Sequence, residues 1–337
     1  MIKCDSSMEN VVFISGTGRS GSGILRRLLS RHSMVTTLPF ESRFIVDPDG
    51  IIDFYRNYSE TWTPFLSDIR LKRLESLLCD LSKKSFIHNS INRTIARICS
   101  CFSINRIKVI SPKRYVTCNF EKYIPGFKQY AEELISDLKE FSYEGYWVGT
   151  ESYKLSPKVY FQGLKTREEL SIPLRNFLMK VISSILINAN ASYYVDHNTW
   201  NSLFAKDLLH FFPSAKIIHI WRDPRDVVAS YTKQRCYPKY GPQAAVFYKS
   251  IYNYWFSIKE MLDMSCYYEI KLEDLVGSPE SSIKNICSFL DLPFEEGLLN
   301  IDLSKSNRGR WEKDLHDGEK REVQEILKNN IIELGYE

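Results

Sequence analysis

A single junction near the N-terminus limits the folds open to this chain. Val11-Val12-Phe13-Ile14, a short run apolar on both faces, passes without a break into Ser15-Gly16-Thr17-Gly18-Arg19-Ser20-Gly21-Ser22-Gly23 and then into the apolar-periodic stretch Ile24-Leu25-Arg26-Arg27-Leu28-Leu29. A continuous apolar run of this length reads as a strand buried on both faces, as in a parallel sheet. The order strand, glycine-rich loop, helix turns backbone N–H groups and the positive end of a helix toward one point, which suits an anion. A tight turn without a ligand is the alternative for such a loop taken alone.

Further strands are expected at Asn10 to Ile14, Ala191 to Val195, Lys216 to Trp221 and Tyr267 to Lys271, separated by helical patterns. That alternation predicts an α/β protein with a central parallel sheet flanked by helices. Residues 50–190 read as a predominantly helical insertion within one domain spanning 1–337, since apolar residues such as Leu71, Leu74, Leu77 and Leu78 recur every three or four positions. Tyr143 to Phe161, rich in Tyr, Trp, Gly and Pro, reads as a long loop, with Pro157 and Gly163 breaking any period. Helices are expected at Ser281 to Leu290 and Glu319 to Leu334, around a charged segment from Lys305 to Gly318.

Composition removes several classes. The 337 residues carry 45 basic and 41 acidic side chains, a net charge of +4, which provides no bulk attraction for nucleic acid. Runs such as Val11 to Ile14 and Ile217 to Trp221 fall far below the roughly 18 apolar residues of a membrane span, and the start Met1-Ile2-Lys3-Cys4-Asp5 has no signal-peptide character. A cytoplasmic protein is the expectation. The eight cysteines (Cys4, Cys79, Cys99, Cys101, Cys118, Cys236, Cys266 and Cys287) lack zinc-site spacing and are expected as free thiols. The six histidines show no metal-binding pattern, so no metal site is expected.

The triphosphatase form of the loop, Gly-x-x-x-x-Gly-Lys-[Ser/Thr], uses its lysine on the phosphates and its hydroxyl on Mg²⁺. Gly16 and Gly21 keep that spacing, but Ser22 and Gly23 follow, and the cation sits inside the loop at Arg19. A second motif lies at the end of the strand Lys216 to Trp221: Arg222-Asp223-Pro224-Arg225-Asp226-Val227-Val228-Ala229-Ser230. Asp223 as cap, Pro224 at the first helical position and Asp226 at the third are accounted for by a helix start. Arg222 is not, because it stands at the carboxyl end of a buried strand, where open parallel sheets bind ligands. Arg222 with Ser230 can clamp a phosphate.

The two motifs together resemble the paired signature of sulfotransferases that use 3′-phosphoadenosine 5′-phosphosulfate (PAPS), over about residues 10–45 and 190–315. That resemblance implies a P-loop-like three-layer fold, sulfuryl transfer from PAPS to a hydroxyl or amine, release of adenosine 3′,5′-bisphosphate, and no required metal. It assigns Gly18, Arg19, Ser20, Gly21, Ser22 and Gly23 to the 5′-phosphosulfate, and Arg222 and Ser230 to the 3′-phosphate. Ser304-Lys305-Ser306-Asn307-Arg308-Gly309-Arg310-Trp311 is similar to the family's cofactor-covering loop, with Ser306 and Arg310 or Arg308 near the nucleotide; a solvated basic loop is the alternative. Pro39-Phe40-Glu41-Ser42-Arg43 resembles the Glu-x-Arg of tyrosylprotein sulfotransferases, which makes Glu41 the candidate base, with an exposed Glu paired with Arg43 as the alternative; sulfuryl transfer also needs a cation near the leaving oxygen, for which Arg19 is the candidate. His197, where many relatives carry a Lys-x-Pro segment, is the other candidate for proton transfer, and a structural histidine is its alternative.

Expected partners are the nucleotide and an acceptor, read as a glycan, glycolipid or small natural product, with peptide tyrosine as the alternative. Tyr143, Tyr146, Trp147, Tyr153 and Trp311 are candidates to stack on it. A Mg²⁺-dependent small-molecule kinase and a non-catalytic nucleotide-binding relative are the competing classes. Neither acceptor nor oligomeric state is legible in the sequence.

Overall fold

The computed structural model describes residues 10–83, 94, 114–115, 117–148, 157–303 and 307–336. The chain forms two compact units, Met1–Glu41 with Asn190–Glu337, and Ser42–Ala189.

The first unit is built on a five-stranded sheet in the order β2-β5-β1-β6-β7. Its strands are β1 (Val11–Gly16), β2 (Val35–Thr36), β5 (Tyr193–His197), β6 (Lys216–Trp221) and β7 (Tyr267–Lys271). Every pairing is parallel. Parallel strands need helical crossovers that cover the faces, so the central strands β1 and β6 are buried along nearly their whole length, whereas the edge strand β7 is mostly half-buried. Val12, Ile14, Val195, Ile218 and Ile220 therefore pack with Leu25, Leu28 and Leu29 of the helix Ser22–Leu29 and with Ile283, Ile286 and Leu290 of the helix Pro279–Leu290. The α/β class and the central parallel sheet are as expected. β6 and β7 have the expected limits, whereas β5 begins and ends two residues later, because its last residue, His197, pairs with Ile14. β2, only two residues long, leaves no sequence period to detect.

From β1 the chain moves to β2 at one edge of the sheet, and from β6 it moves to β7 at the other. The reversal opens a crevice beyond the carboxyl ends of β1 and β6, the place where such sheets bind ligands. Gly16 and Ile220 are paired at that end.

The second unit contains the helices Ile51–Glu60, Pro64–Ser82, Phe127–Leu138 and Arg167–Ala189. Edge-on contacts among Phe44, Phe120, Phe127 and Phe177, with centroids 5.1–6.0 Å apart, fill its core. Arg167–Ala189 is long and apolar enough to cross a membrane by length and composition. Its buried residues, including Leu170, Leu174, Phe177, Leu178, Val181, Ile182 and Ile185, return at the three- and four-residue spacing of a helix lying against a core.

The expected loop over 143–161 is corrected at its two ends, residues 149–156 lying outside the described residues. β3 (Phe141–Glu144) and β4 (Lys158–Phe161) form an antiparallel pair, with Phe141 opposite Phe161 and Glu144 opposite Lys158. The rings of Phe141 and Phe161 stack at 4.8 Å. Pro157 and Gly163 lie outside β4 and so bound it rather than break it. The ladder joins residues too far apart for a local pattern to reveal.

One buried group in β6 has a consequence for stability. His219 is 0% exposed and stacks on Trp255 at 4.9 Å, with neither ring nitrogen partnered among the described residues. Lys259 lies near it and is paired with Glu269 at 2.9 Å, while Glu269 also accepts from the indoles of Trp221 and Trp255. Burial, with a smaller contribution from Lys259, pushes the imidazole down to about 3 from its ordinary 6.5. Between those values the unfolded chain binds a proton that the folded chain refuses, so the stabilisation present above pH 6.5 is lost as pH falls toward 3. Thermal unfolding from pH 7 to pH 4 should show a steeper loss in the wild type than in His219→Phe, by up to about 1.4 kcal/mol per pH unit. Parallel profiles would assign the acid sensitivity to other groups.

Candidate active site

The loop after β1 is shaped by close approach and by left-handed backbone. A Cβ on Gly16 would lie 2.2 Å from Ser20 Oγ and 2.9 Å from the Ile220 carbonyl, so β1 meets β6 only because this position has no side chain. Gly18, Arg19 and Gly21 have φ of 79°, 58° and 109°, a turn that aims successive N–H groups inward. Gly21 stands at the N-cap of Ser22–Leu29 with no side-chain capping bond and no acidic residue in the first turn. This helix end therefore keeps its attraction for negative charge.

The side chains around the loop are incompletely satisfied. Thr17 Oγ1, Ser20 Oγ and Arg222 Nε are buried and have no hydrogen-bond partner among the described residues. Buried polar atoms without partners are costly, and each of these three groups can donate to an anionic oxygen. Arg222 is 6% exposed. Its Nη1 donates to the Arg19 carbonyl at 3.3 Å, and its Nη2 donates to the Asn307 carbonyl at 2.6 Å and to Asp226 at 3.4 Å. Arg19 Nε donates to Ser230 Oγ at 3.0 Å. The arginine of the first motif and the serine of the second thus meet directly, across 211 positions of sequence.

On the β5 side, the turn after His197 is fastened from below. Ser15 Oγ donates to the Thr199 carbonyl and accepts from Ser202 N–H, and Asn201 Nδ2 donates to the Ile14 carbonyl and to Asp196. Asn198 Oδ1 accepts from Trp200 N–H at 3.0 Å, a local asparagine turn. These bonds carry Thr199 to Glu41, whose Oε1 accepts from Thr199 Oγ1 at 3.3 Å. His197 Nε2 lies 3.1 Å from Ser22 Oγ at the start of the loop helix. Glu41 is half-buried and lies within electrostatic reach of Arg26 and of Tyr237. Arg43 of the same segment is paired with Asp47 at 3.2 Å.

Tyr237 is a member of this cluster that no motif marked. A Cβ on Gly18 would lie 2.6 Å from its hydroxyl, and its ring stacks on Tyr231 at 4.1 Å. Tyr231 in turn donates to the Thr17 carbonyl. Burial, then Cys236, raises the Tyr237 phenol to about 12, with Arg19 opposing and Glu41 reinforcing the shift. At neutral pH its hydroxyl therefore keeps its proton. Thr17, Thr199 and Asp226 were likewise missed, since their partners are set by folding rather than by spacing.

Other expected site residues are placed as follows. Gly23 lies within the helix Ser22–Leu29. Arg310 is engaged by Asp314 through two bonds of 2.8 and 2.6 Å, while remaining within electrostatic reach of Arg222. Ser306 and Tyr153 lie outside the described residues. The Trp311 ring sits 4.7 Å from the Arg225 guanidinium, a cation–π contact. Tyr143, Tyr146 and Trp147 belong to the second unit. The described cysteines, Cys79, Cys118, Cys236, Cys266 and Cys287, are free. Among the described residues no group of three or more His, Cys, Asp or Glu side chains is arranged to hold a metal ion.

Fold and site together define a parallel-sheet α/β protein with a glycine-rich loop at its switch point. The model of the Sulfotransferase family matches residues 149–296. The omega-hydroxy-beta-dihydromenaquinone-9 sulfotransferases Stf3 of Mycobacterium bovis and Mycobacterium tuberculosis are each 33% identical over 107 residues, covering 28% of this chain and 28% of the relative. The match thus spans little more than a quarter of these relatives' length. Among solved structures, the sulfotransferase domain from the curacin biosynthetic pathway aligns over 95% of this chain and 96% of its own, with 16% identity and a TM-score of 0.46. The sulfotransferase domain from the Synechococcus PCC 7002 olefin synthase aligns over 95% and 93%, with 15% identity and a TM-score of 0.45. The family that the sequence matches support is the sulfotransferases.

Proposed function

We propose that this chain transfers a sulfuryl group from PAPS to a hydroxyl of a small or lipidic acceptor. The observation that carries the reading is the set of unpartnered buried groups, Thr17 Oγ1, Ser20 Oγ and Arg222 Nε, gathered at the carboxyl ends of β1 and β6. Ser22 stands where a kinase loop has its phosphate lysine, and its hydroxyl is engaged with His197, which disfavours the kinase alternative.

The nucleotide supplies a sulfuryl group activated by its bond to the 5′-phosphate. The chain's own residues bind and orient it: loop N–H groups, Arg19, Ser20 and Ser22 at the 5′ end, and Arg222 with Ser230 at the 3′-phosphate. Glu41, or His197 in its place, takes the acceptor proton as the new O–S bond forms. Arg19 and the N-terminus of Ser22–Leu29 meet the charge that develops on the departing phosphate oxygen. The relatives' name specifies a hydroxylated menaquinone derivative as their acceptor, which supports a hydroxyl on a lipid or natural product here and leaves the glycan and tyrosine alternatives to experiment.

Calorimetric titration of the metal-free protein with adenosine 3′,5′-bisphosphate, 5′-AMP and ATP tests the reading. Preference for the bisphosphate by at least about tenfold, one charged hydrogen bond or more, is the expected result. Preference for ATP, or no binding of the three, overturns it.

A further inference from the structure

The second motif does more than start a helix. Asp223 is the cap of Pro224–Thr232, its side chain accepting from Arg225 N–H at 2.9 Å. Asp226 is directed elsewhere. Its carboxylate is 0% exposed and accepts from Gly309 N–H at 2.8 Å, from Trp311 N–H at 3.1 Å and from Arg222 Nη2 at 3.4 Å. Arg222 Nη2 closes the circle through the Asn307 carbonyl at 2.6 Å, and Arg225 lies over the Trp311 ring. Three residues of one motif therefore grip residues 307, 309 and 311, more than eighty positions downstream.

A carboxylate at a helix's third position needs no burial to support the helix. Burial here pushes the Asp226 carboxyl up, the two backbone N–H groups and Arg222 push it down, and such a buried charge persists only where donors compensate it. The downstream backbone is shaped to supply them: Asn307 and Gly309 have φ of 51° and 70°.

We propose that Asp226 is a positioning residue that fastens residues 307–311 beside Arg222, and that recognition of the nucleotide's 3′-phosphate depends on this fastening. The proposal rests on the PAPS reading of the site. Loss of the fastening frees Arg222 from its fixed setting and detaches the backbone beside it, without removing any group assigned to the 5′ end.

The experiment has two arms on the full chain. In the first, amide hydrogen exchange without ligand compares the wild type with Asp226→Asn, which preserves size while removing charge. Exchange at Gly309 and Trp311 should rise at least about tenfold, and unchanged protection overturns the proposal. In the second, titration compares adenosine 3′,5′-bisphosphate with 5′-AMP. The ratio of the two affinities should fall about ten- to a hundredfold, the loss expected from disturbing one or two charged hydrogen bonds, while 5′-AMP affinity is retained. Faster exchange with an unchanged ratio also overturns it, because a merely structural role would weaken both ligands alike or neither. Gly309→Ala approaches the same segment from the side where a Cβ meets nothing within 4 Å, strained only by its positive φ, and should lower the ratio in the same direction even where Asp226→Asn fails to fold. A wild type with no preference for the bisphosphate overturns the nucleotide reading and the phosphate half of the proposal with it, and the exchange arm still decides the fastening.

Discussion

Arg222→Ala should weaken binding of adenosine 3′,5′-bisphosphate by about two to three orders of magnitude, the range for two charge-assisted hydrogen bonds lost from a desolvated site. Binding of 5′-AMP should change far less. The guanidinium ends a buried strand, its Nε is without a partner among the described residues, and its two other nitrogens are held by the Arg19 and Asn307 carbonyls and by Asp226. A fork fixed on two sides with two N–H groups unanswered among the described residues, Nε–H and one on Nη1, is prepared for an oxygen ligand, and little conformational entropy is left to lose on binding. Alanine also strands the Asp226 carboxylate, so the variant's melting temperature must be recorded beside its affinity. Arg222→Lys separates the two effects: it retains a positive charge while losing the planar fork, and it should keep the fold better than it keeps the affinity. Equal losses for both nucleotides in a folded Arg222→Lys protein would place Arg222 outside the 3′-phosphate site.

The second large effect is expected on turnover. Glu41→Gln should lower kcat by about 10²- to 10⁴-fold, the range for removing a general base, with binding of adenosine 3′,5′-bisphosphate retained. Glu41 is held by Thr199, which is itself held by the Ser15 and Asn201 bonds beneath β1 and β5, so its carboxylate has a defined place near the loop. His197 Nε2 lies 3.1 Å from Ser22 Oγ, at the N-terminal end of the helix Ser22–Leu29. His197→Asn serves as the comparison. A rate loss confined to Glu41→Gln assigns proton transfer to the carboxylate, whereas a loss confined to His197→Asn reassigns it to the imidazole. Retained turnover in both variants would overturn the role given to this pair.

The glycine loop was visible in the sequence because its requirements are local. Buried parallel strands are continuous apolar runs, glycines permit left-handed turns, and a strand leading straight into an apolar-periodic helix leaves only a short connection between them. The same logic made Arg222 legible at the end of β6 and Asp223 legible as a cap, and it placed β6 and β7 at their observed limits. Local reasoning failed at the two ends of 143–161, where nearby Pro and Gly hid the strands and only the pairing of β3 with β4 defines them.

Asp226 shows the boundary most clearly. From sequence it is a helix-start residue, and nothing within several positions says otherwise; in the fold its donors come from Gly309 and Trp311. Arg19 meeting Ser230, Thr199 meeting Glu41 and Tyr237 covering Gly18 have the same origin. By itself the sequence determined the sheet class, the glycine-rich loop and the position of the second motif, because periodicity, glycine conformations and caps act over a few residues. Only the tertiary structure decided which donor answers which acceptor across the site, because desolvation makes those pairings obligatory once distant segments have been packed together.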